Sequence, residues 1–428
     1  MKALFVGSTR PEIIKLSPIM REFDREGLDY VFTTTGQHYD HNLFSNFITD
    51  LELKKPDYDI NIGSGTQAYQ TSSPMKELEE IMIKEEPDVV IVEGDTNSVL
   101  SSALTAVKLK IPVAHVEAGL RSFDRTMPEE INRILADHCS EILFAPTETS
   151  ALNLINSGIL PEKIHIVGNT VVDATRQNLE IAKKRSTVTE GLDSDYLVLT
   201  LHRAENVDDQ VRLGNIINAL ISIENEIVFP IHPRTKKMLK KHGLFEKLDE
   251  KTRIIDPVGY LDFLMLMSNA KAILTDSGGL QEEAITLNIP CITLRMNTER
   301  PETVEAGGNI LAGTDTESIL ANVNNILTNQ KVYEKMQKAK NPLGDGTTGK
   351  KITKILKTLV EKDMLKIKSS DFTQGFRKRE FLEVDIKMNG KKVGEMNFTV
   401  IKVIEDKKER FPSKDLVLKK GQIIEIIK

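Results

Sequence analysis

Leu274-Thr275-Asp276-Ser277-Gly278-Gly279-Leu280-Gln281-Glu282-Glu283-Ala284 is the stretch whose reading decides the fold. The apolar run Ala272 to Leu274 reads as a strand, Asp-Ser-Gly-Gly as a tight turn, and the residues after it as the first turns of a helix. Gly278 and Gly279 let a ligand approach the backbone, and Ser277 either caps the helix or offers its hydroxyl. Unpaired N–H groups and the helix dipole at that turn favour an anion, and a phosphate or pyrophosphate is the natural guest. Glu282 and Glu283 follow one turn later, where one of them can accept hydrogen bonds from ribose hydroxyls. The plain alternative is an ordinary helix start with acids in its first turn.

Working outward, strand-like runs alternate with helical patterns, which predicts parallel sheets built from βαβ units. The runs are Ala3–Val6, Tyr30–Thr34, Val89–Val92, Val113–Val116 and Ile142–Phe144 in the first half. Tyr196–Leu201, Ile227–Ile231, Arg253–Ile255, Ala272–Leu274 and Cys291–Leu294 follow in the second. The fold class is therefore α/β, with two doubly wound, Rossmann-like domains over 1–170 and 171–365 and a ligand cleft between them. Residues 366–428 carry 16 Lys+Arg against 10 Asp+Glu, a local charge of +6 in a chain of net charge −6. Short alternating runs there (Phe381–Met388, Met396–Ile404, Leu416–Leu418, Ile423–Ile427), separated by Asn389-Gly390 and Lys420-Gly421, predict a small β-rich extension.

Composition narrows the function. The 428 residues are 40% apolar and 28% charged, as in a globular protein, and the acidic balance argues against nucleic acid or anionic membrane as a partner. Cys139 and Cys291 are too few for a disulfide framework, so both are expected reduced and the compartment cytoplasmic. The short apolar run at the start stops at Gly7, as a first strand does and a signal peptide does not, and no run is long enough to span a bilayer.

The ends of the other strands bring up further candidates. Gly7-Ser8-Thr9-Arg10-Pro11 follows the first strand, with Ser8 or Thr9 as helix cap and Arg10 and Lys15 as cations for a phosphate; the absence of G-x-G-x-x-G argues against a nicotinamide. Glu93-Gly94-Asp95 and Glu117 place acids directly after two strands, as acid/base chemistry requires, although Asp and Glu are also common helix caps. Glu129 and Arg133 are spaced to form a plain surface pair. His202 can hold a phosphate or move a proton, whereas His232, between prolines, reads as structural. The turn from Asp256 to Phe263 offers backbone groups and an aromatic face to a base, and Arg295 and Arg300 add cations near the opening stretch.

With these residues in place, the chain resembles the non-hydrolysing UDP-N-acetylglucosamine 2-epimerases, in a version like those of methanogenic archaea. The match runs from Met1 to about Leu359 through ordered motifs: GSTRPEIIK (7–15), GDT (94–96), HVEAGLRS (115–122), MPEEINR (127–133), PTET (146–149), VGNTVVDA (167–174), LHRAEN (201–206), IHPRTKK (231–237), LTDSGGLQEEA (274–284), TERPETVEAG (298–307) and NPLGDG (341–346). The resemblance implies the two-domain GT-B arrangement, with the last core helix returning to the first domain. It implies Asp95, Glu117 and Glu129 as catalytic acids with Arg133 beside them, and His202 in the catalytic set and on the nucleotide-sugar. Arg10, Lys15 and Arg300 would be further contacts to that substrate, Ser277, Gly278 and Gly279 would hold the diphosphate, Glu283 the ribose, and Val258 and Phe263 the uracil. It further implies a homodimer, no metal and no cofactor, and a product passed to a UDP-N-acetylmannosamine dehydrogenase. Gly7-Ser8 replaces the usual Gly-Thr, which keeps the hydroxyl. Gly36-Gln37-His38-Tyr39-Asp40 also occurs in relatives that epimerise a UDP-diacetamido-uronic acid, and the tail from Lys366 matches no part of the family. A hydrolysing epimerase, a GT-B glycosyltransferase with its own acceptor and a nucleotide-sugar sensor without turnover are the other readings.

Overall fold

The computed structural model describes residues 1–36, 41–365, 379–385, 387–396 and 398–427. Gln37 to Asp40 and residues 366–378 lie outside the described residues. The chain divides into two units, the first made of Met1–Thr170 with Thr347–Lys428 and the second of Val171–Gly346.

The first unit is built on a seven-stranded parallel sheet of β1 (Lys2–Gly7), β2 (Asp29–Thr34), β3 (Tyr58–Asp59), β4 (Val89–Glu93), β5 (Val113–Val116), β6 (Ile142–Ala145) and β7 (Ile164–Ile166), in the order β3-β2-β1-β4-β5-β6-β7. The central strands are apolar without alternation because helices cover both faces, and Val89, Val90, Ile91 and Val92 are all fully buried. The helix Arg10–Glu26 starts where Glu12 turns back to accept from the N–H groups of Ser8 (2.6 Å) and Thr9 (2.9 Å), and stops at Gly27 in the left-handed region. The helix Thr348–Glu361 packs against it, with Lys357 paired to Glu26 at 2.9 Å. A Cβ on Gly349 would lie 2.8 Å from the Pro18 carbonyl oxygen, so only glycine admits this approach.

The second unit repeats the design with β8 (Leu197–Thr200), β9 (Ile227–Pro230), β10 (Arg253–Ile255), β11 (Ala272–Thr275), β12 (Cys291–Thr293) and β13 (Asn309–Leu311), all parallel in the order β10-β9-β8-β11-β12-β13. The α/β class and the two Rossmann-like halves are thus as expected. Three strands were not expected: β3, β7 and β13 are two- or three-residue edge strands, too short to show a pattern. No described helix is long and apolar enough to cross a membrane.

The tail forms an antiparallel sheet of β14 (Arg379–Glu383), β15 (Thr399–Glu405), β16 (Lys408–Arg410) and β17 (Ile423–Ile427), in the order β14-β17-β15-β16. Leu416–Leu418 is not the strand expected, since only Val417 makes a single bridge, to Lys392; the strand is Lys408–Arg410, too polar to be read as one. Val400, Val403, Ile424 and Ile426 face a small core with Val384, Val393 and Leu418. The pairing of β15 with β17 slips between Val400 and Lys402, and Ile401 packs on the opposite side. There Ile401, Phe411 and Ile427 meet Ala151, Leu154 and Ile155 of the helix Glu148–Asn156 and Ile164 of β7. The Phe411 N–H donates to Glu148 Oε1 and Lys402 Nζ to Asn156 Oδ1, both at 2.9 Å. Phe411→Ala should therefore loosen this docking by about 3 kcal/mol. Amide exchange should speed up in β15, β16 and β17 and stay slow in β1, β4 and β5; equal acceleration everywhere would contradict the contact.

Candidate active site

In open α/β sheets a ligand binds beyond the carboxyl ends of the strands, where the strand order reverses. In the second unit that point lies between β8 and β11. Their last residues touch through Thr200 Oγ1 and Thr275 Oγ1 at 2.6 Å. Just beyond, the buried Asp276 carboxylate accepts from the N–H groups of His202 (3.1 Å) and Arg203 (2.9 Å) and stands 3.1 Å from His202 Nδ1. Burial alone would raise Asp276, but the His202 and Arg203 hydrogen bonds hold it below the ordinary carboxylate range. Asp276 thereby takes up Nδ1 of His202 and leaves Nε2 for a ligand.

His202 borders a cavity of about 320 Å³ whose walls include Pro257, Val258, Phe263, Ser277 and Leu280. The helix Gly278–Thr286 starts at its edge, and Ser277 is the N-cap by backbone only, so its hydroxyl makes no cap hydrogen bond. A Cβ on Gly279 would meet nothing within 4 Å, which leaves the helix N-terminus open to an anion. His232 borders the same cavity, and its Nδ1 accepts from the Arg234 N–H at 3.2 Å as the cap of the helix Pro233–Lys241, in keeping with a structural role. Cap and wall are two edges of one ring.

The cations after β12 are already engaged. Arg295 is buried between Glu205 (2.9 Å) and Glu299 (2.7 Å), and its hydrogen bonds pull Glu299 down to about 2 against the effect of burial. Arg300 Nε sits 2.5 Å from Glu282 Oε1. Glu283, the other acid of the pair, accepts from the Tyr260 hydroxyl at 3.1 Å. Arg203 was missed by the sequence reading: it is partly exposed, and its Nη2 lies 3.8 Å from where a Cβ of Gly278 would be. Its position directly after His202, at a strand end, was the available signal.

In the first unit the order reverses between β1 and β4. Ser8 Oγ and Thr96 Oγ1 approach to 3.3 Å across that gap, above the buried Glu12. Lys15 Nζ lies 2.5 Å from Glu117 Oε2 and 3.2 Å from Glu93 Oε1, and Asn169 Nδ2 donates to Glu117 at 2.8 Å. Glu117 holds φ of +66°, a conformation that costs a non-glycine residue of order 1–3 kcal/mol. Asp95 is ion-paired with Arg133, which also binds Glu130 at 2.9 Å. The surface pair of Glu129 with Arg133 is therefore replaced: Glu130 is the buried partner, and Glu129 stands exposed in the first helical turn. Arg10 lies with its guanidinium 5.5 Å from the Phe47 ring centroid. Asp95, Glu117, Lys15 and Arg133 thus share one edge of this sheet, and Val258, Phe263, Ser277 to Gly279 and His202 share one edge of the other.

Behind Asp95, the fully buried His115 bridges Asp137 Oδ1 and the Gly94 carbonyl, both at 2.8 Å, while Arg121 holds the other Asp137 oxygen at 2.7 Å. A carbonyl only accepts, so Nε2 carries a hydrogen; the Asp137 carboxylate favours another on Nδ1. Burial works against the charged ring, but Asp137 and Gly94 outweigh it and raise His115 above its ordinary value.

The UDP-N-acetylglucosamine 2-epimerase family model matches residues 21–357. The chain belongs to this family. A UDP-N-acetylglucosamine 2-epimerase of Methanocaldococcus jannaschii is 54% identical over 83% of this chain and 99% of its own. A crystal structure of the M. jannaschii enzyme in complex with UDP-GlcNAc and UDP superposes with a TM-score of 0.73 at 54% identity, over 84% of this chain and 100% of that one. A UDP-2,3-diacetamido-2,3-dideoxy-D-glucuronate 2-epimerase of Pseudomonas aeruginosa is 42% identical over 75% of this chain and 90% of its own. The matched epimerase region stops short of β14 to β17.

Two outcomes follow for this family member. Gly279→Val fills the open space at the helix start and should weaken UDP binding at least tenfold by calorimetry; unchanged affinity in the folded variant would remove the anion from this turn. A raised His115 value gives stability that is fully present below the unfolded value of about 6.5 and is lost as pH rises through the folded one. The destabilisation caused by His115→Gln, read from urea midpoints, should therefore shrink from about pH 6 to about pH 9. A difference independent of pH would mean that the folded ring titrates as the unfolded one does, and a difference that grows with pH would mean that the folded ring is neutral.

Proposed function

We propose that this protein interconverts UDP-N-acetylglucosamine and UDP-N-acetylmannosamine without releasing the free sugar, as an isomerase that needs no redox cofactor. The observation that carries this reading is the 54% identity to the M. jannaschii epimerase across 99% of that enzyme. The geometry supports it. In the second unit a helix N-terminus with His202 and Arg203 suits a diphosphate, Val258 and Phe263 suit uracil, and Glu283 suits a ribose. In the first unit Asp95, Glu117 and Glu129 are the acids for the sugar ring, with Arg133 and Lys15 setting two of them in place.

The chemistry needs such a division. The hydrogen on C2 is not next to a carbonyl and is a poor acid, so cleavage of C1–O must run ahead and leave positive charge at the anomeric carbon. Carboxylates nearby stabilise that charge while cations stabilise the departing UDP. One carboxylate takes the C2 proton, the C1–O electron pair leaves with UDP, and 2-acetamidoglucal remains. Re-addition of UDP to C1 with a proton from the opposite face of C2 gives the epimer. Two faces of one carbon need two proton-handling groups, and the first unit supplies several acids. A UDP-N-acetylmannosamine dehydrogenase is the natural consumer, and a homodimer the natural assembly.

The 42% identity to the P. aeruginosa enzyme favours a second reading, in which the sugar is a diacetamido-uronic acid. Incubation with each UDP-sugar alone in deuterated water, followed by proton NMR, decides between them. UDP-N-acetylglucosamine should give UDP-N-acetylmannosamine with deuterium at C2 of both epimers and no free sugar. Undeuterated product would sink the elimination, free N-acetylmannosamine would indicate hydrolysis, and turnover only after adding an acceptor would indicate a glycosyltransferase. Asp95→Asn, Glu117→Gln and Glu129→Gln should each lower kcat by about 10²–10⁴-fold while UDP affinity changes far less.

A further inference from the structure

Glu93 has no part in the chemistry proposed above, yet it stands against the groups that do. It ends β4 with its side chain only 2% exposed, and its Oε1 is 3.2 Å from the Lys15 ammonium that also lies 2.5 Å from Glu117. Glu12, on the same helix as Lys15, is near enough for its charge to act on Glu93. Two carboxyls with little exposure therefore share a single ammonium, with Glu12 as a third nearby, and the hydrogen bonds are unequally shared. Glu12 accepts from the Ser8 N–H, the Ser8 hydroxyl and the Thr9 N–H at 2.6–2.9 Å. Glu117 has Lys15 at the shorter distance and Asn169 as well. Glu93 has the longer approach to Lys15, and its Oε1 finds no well-aligned donor; Glu12 Oε1 also lacks one, but the other oxygen of Glu12 holds the three donors from Ser8 and Thr9. A proton is therefore held at the lowest cost on Glu93.

We propose that Glu93 is a positioning residue that stays protonated in the resting site and so leaves the charge of Lys15 to Glu117. The direction of its shift agrees: burial, then the charges of Glu117 and Glu12, outweigh Lys15 and raise this carboxyl well above its ordinary range. When pH rises far enough to ionise Glu93, two carboxylates compete for one ammonium, Lys15 is drawn from Glu117, and turnover falls on the alkaline side. The kinetic part of this inference rests on the epimerase reading; the proton itself does not.

Glu93→Gln has the shape of the protonated acid and cannot ionise. Infrared difference spectra near neutral pH, wild type against Glu93→Gln, should show one protonated-carboxyl C=O band lost in the variant. The alkaline limb of its kcat profile with UDP-N-acetylglucosamine should move up by roughly one pH unit or more. No lost band means that Glu93 is ionised, and overturns the inference whatever the kinetics. A lost band with superimposable kcat profiles overturns the positioning role. If no nucleotide-sugar is turned over, the epimerase reading fails, and the infrared band alone decides where the proton sits. Should Glu93→Gln not fold, a titration of ¹³C-carboxyl-labelled wild type by NMR reads the same proton, and a glutamate titrating only in the ordinary acid range at this position rejects it.

Discussion

Where the strand order of a parallel sheet reverses, neighbouring strands send their crossovers to opposite faces and leave the carboxyl ends between them uncovered. This constraint acts twice, between β1 and β4 and between β8 and β11. Many of the candidate side chains among the described residues lie beside these two gaps. In one unit the gap gathers Ser8, Lys15, Glu93 and Asp95, and in the other His202, Asp276 and Ser277. The rest of each unit is the apolar packing that keeps two strand ends at a fixed separation.

Both gaps are tied by a buried carboxyl that collects hydrogen-bond donors, and the two are shifted in opposite directions. Asp276 accepts from two backbone N–H groups and stands against His202, so its charged form is favoured despite burial. Glu12 also collects backbone donors from Ser8 and Thr9, but burial wins and it is shifted upward. The second unit thus favours a carboxylate beneath His202 and Arg203, whereas in the first unit burial raises both Glu12 and Glu93.

The fold was legible because central strands buried on both faces read as unbroken apolar runs. Every strand from β1 to β12 other than β3 and β7 was read from its run, with ends within a residue or two. The edge strands β3, β7 and β13 escaped because two or three residues with one covered edge need no special composition. Candidate site residues could be proposed where they follow a strand within two residues, as Asp95, Glu117, His202 and Ser277 do. Pairing across the sequence was not: Arg133 lies close to both Glu129 and Glu130 in the chain, and only packing shows that Glu130 and Asp95 take it. For the same reason Arg295 looked available and is committed to Glu205 and Glu299, while Arg203 sat in plain view beside stronger candidates.

The first unit is assembled from both ends of the chain, because the helix Thr348–Glu361 returns to lie on Arg10–Glu26. A ribosome adding about 5–20 residues per second needs roughly ten to thirty-five seconds to travel from Thr170 to Thr347. Throughout that interval the helix that covers Pro18 has not been made, although every strand of its parallel sheet has already been synthesised. The second unit is contiguous and can close as soon as its own chain is free. All of its strands are synthesised before Thr348–Glu361, so Gly349 can be seated against Pro18 only after the strands of both parallel sheets have been made.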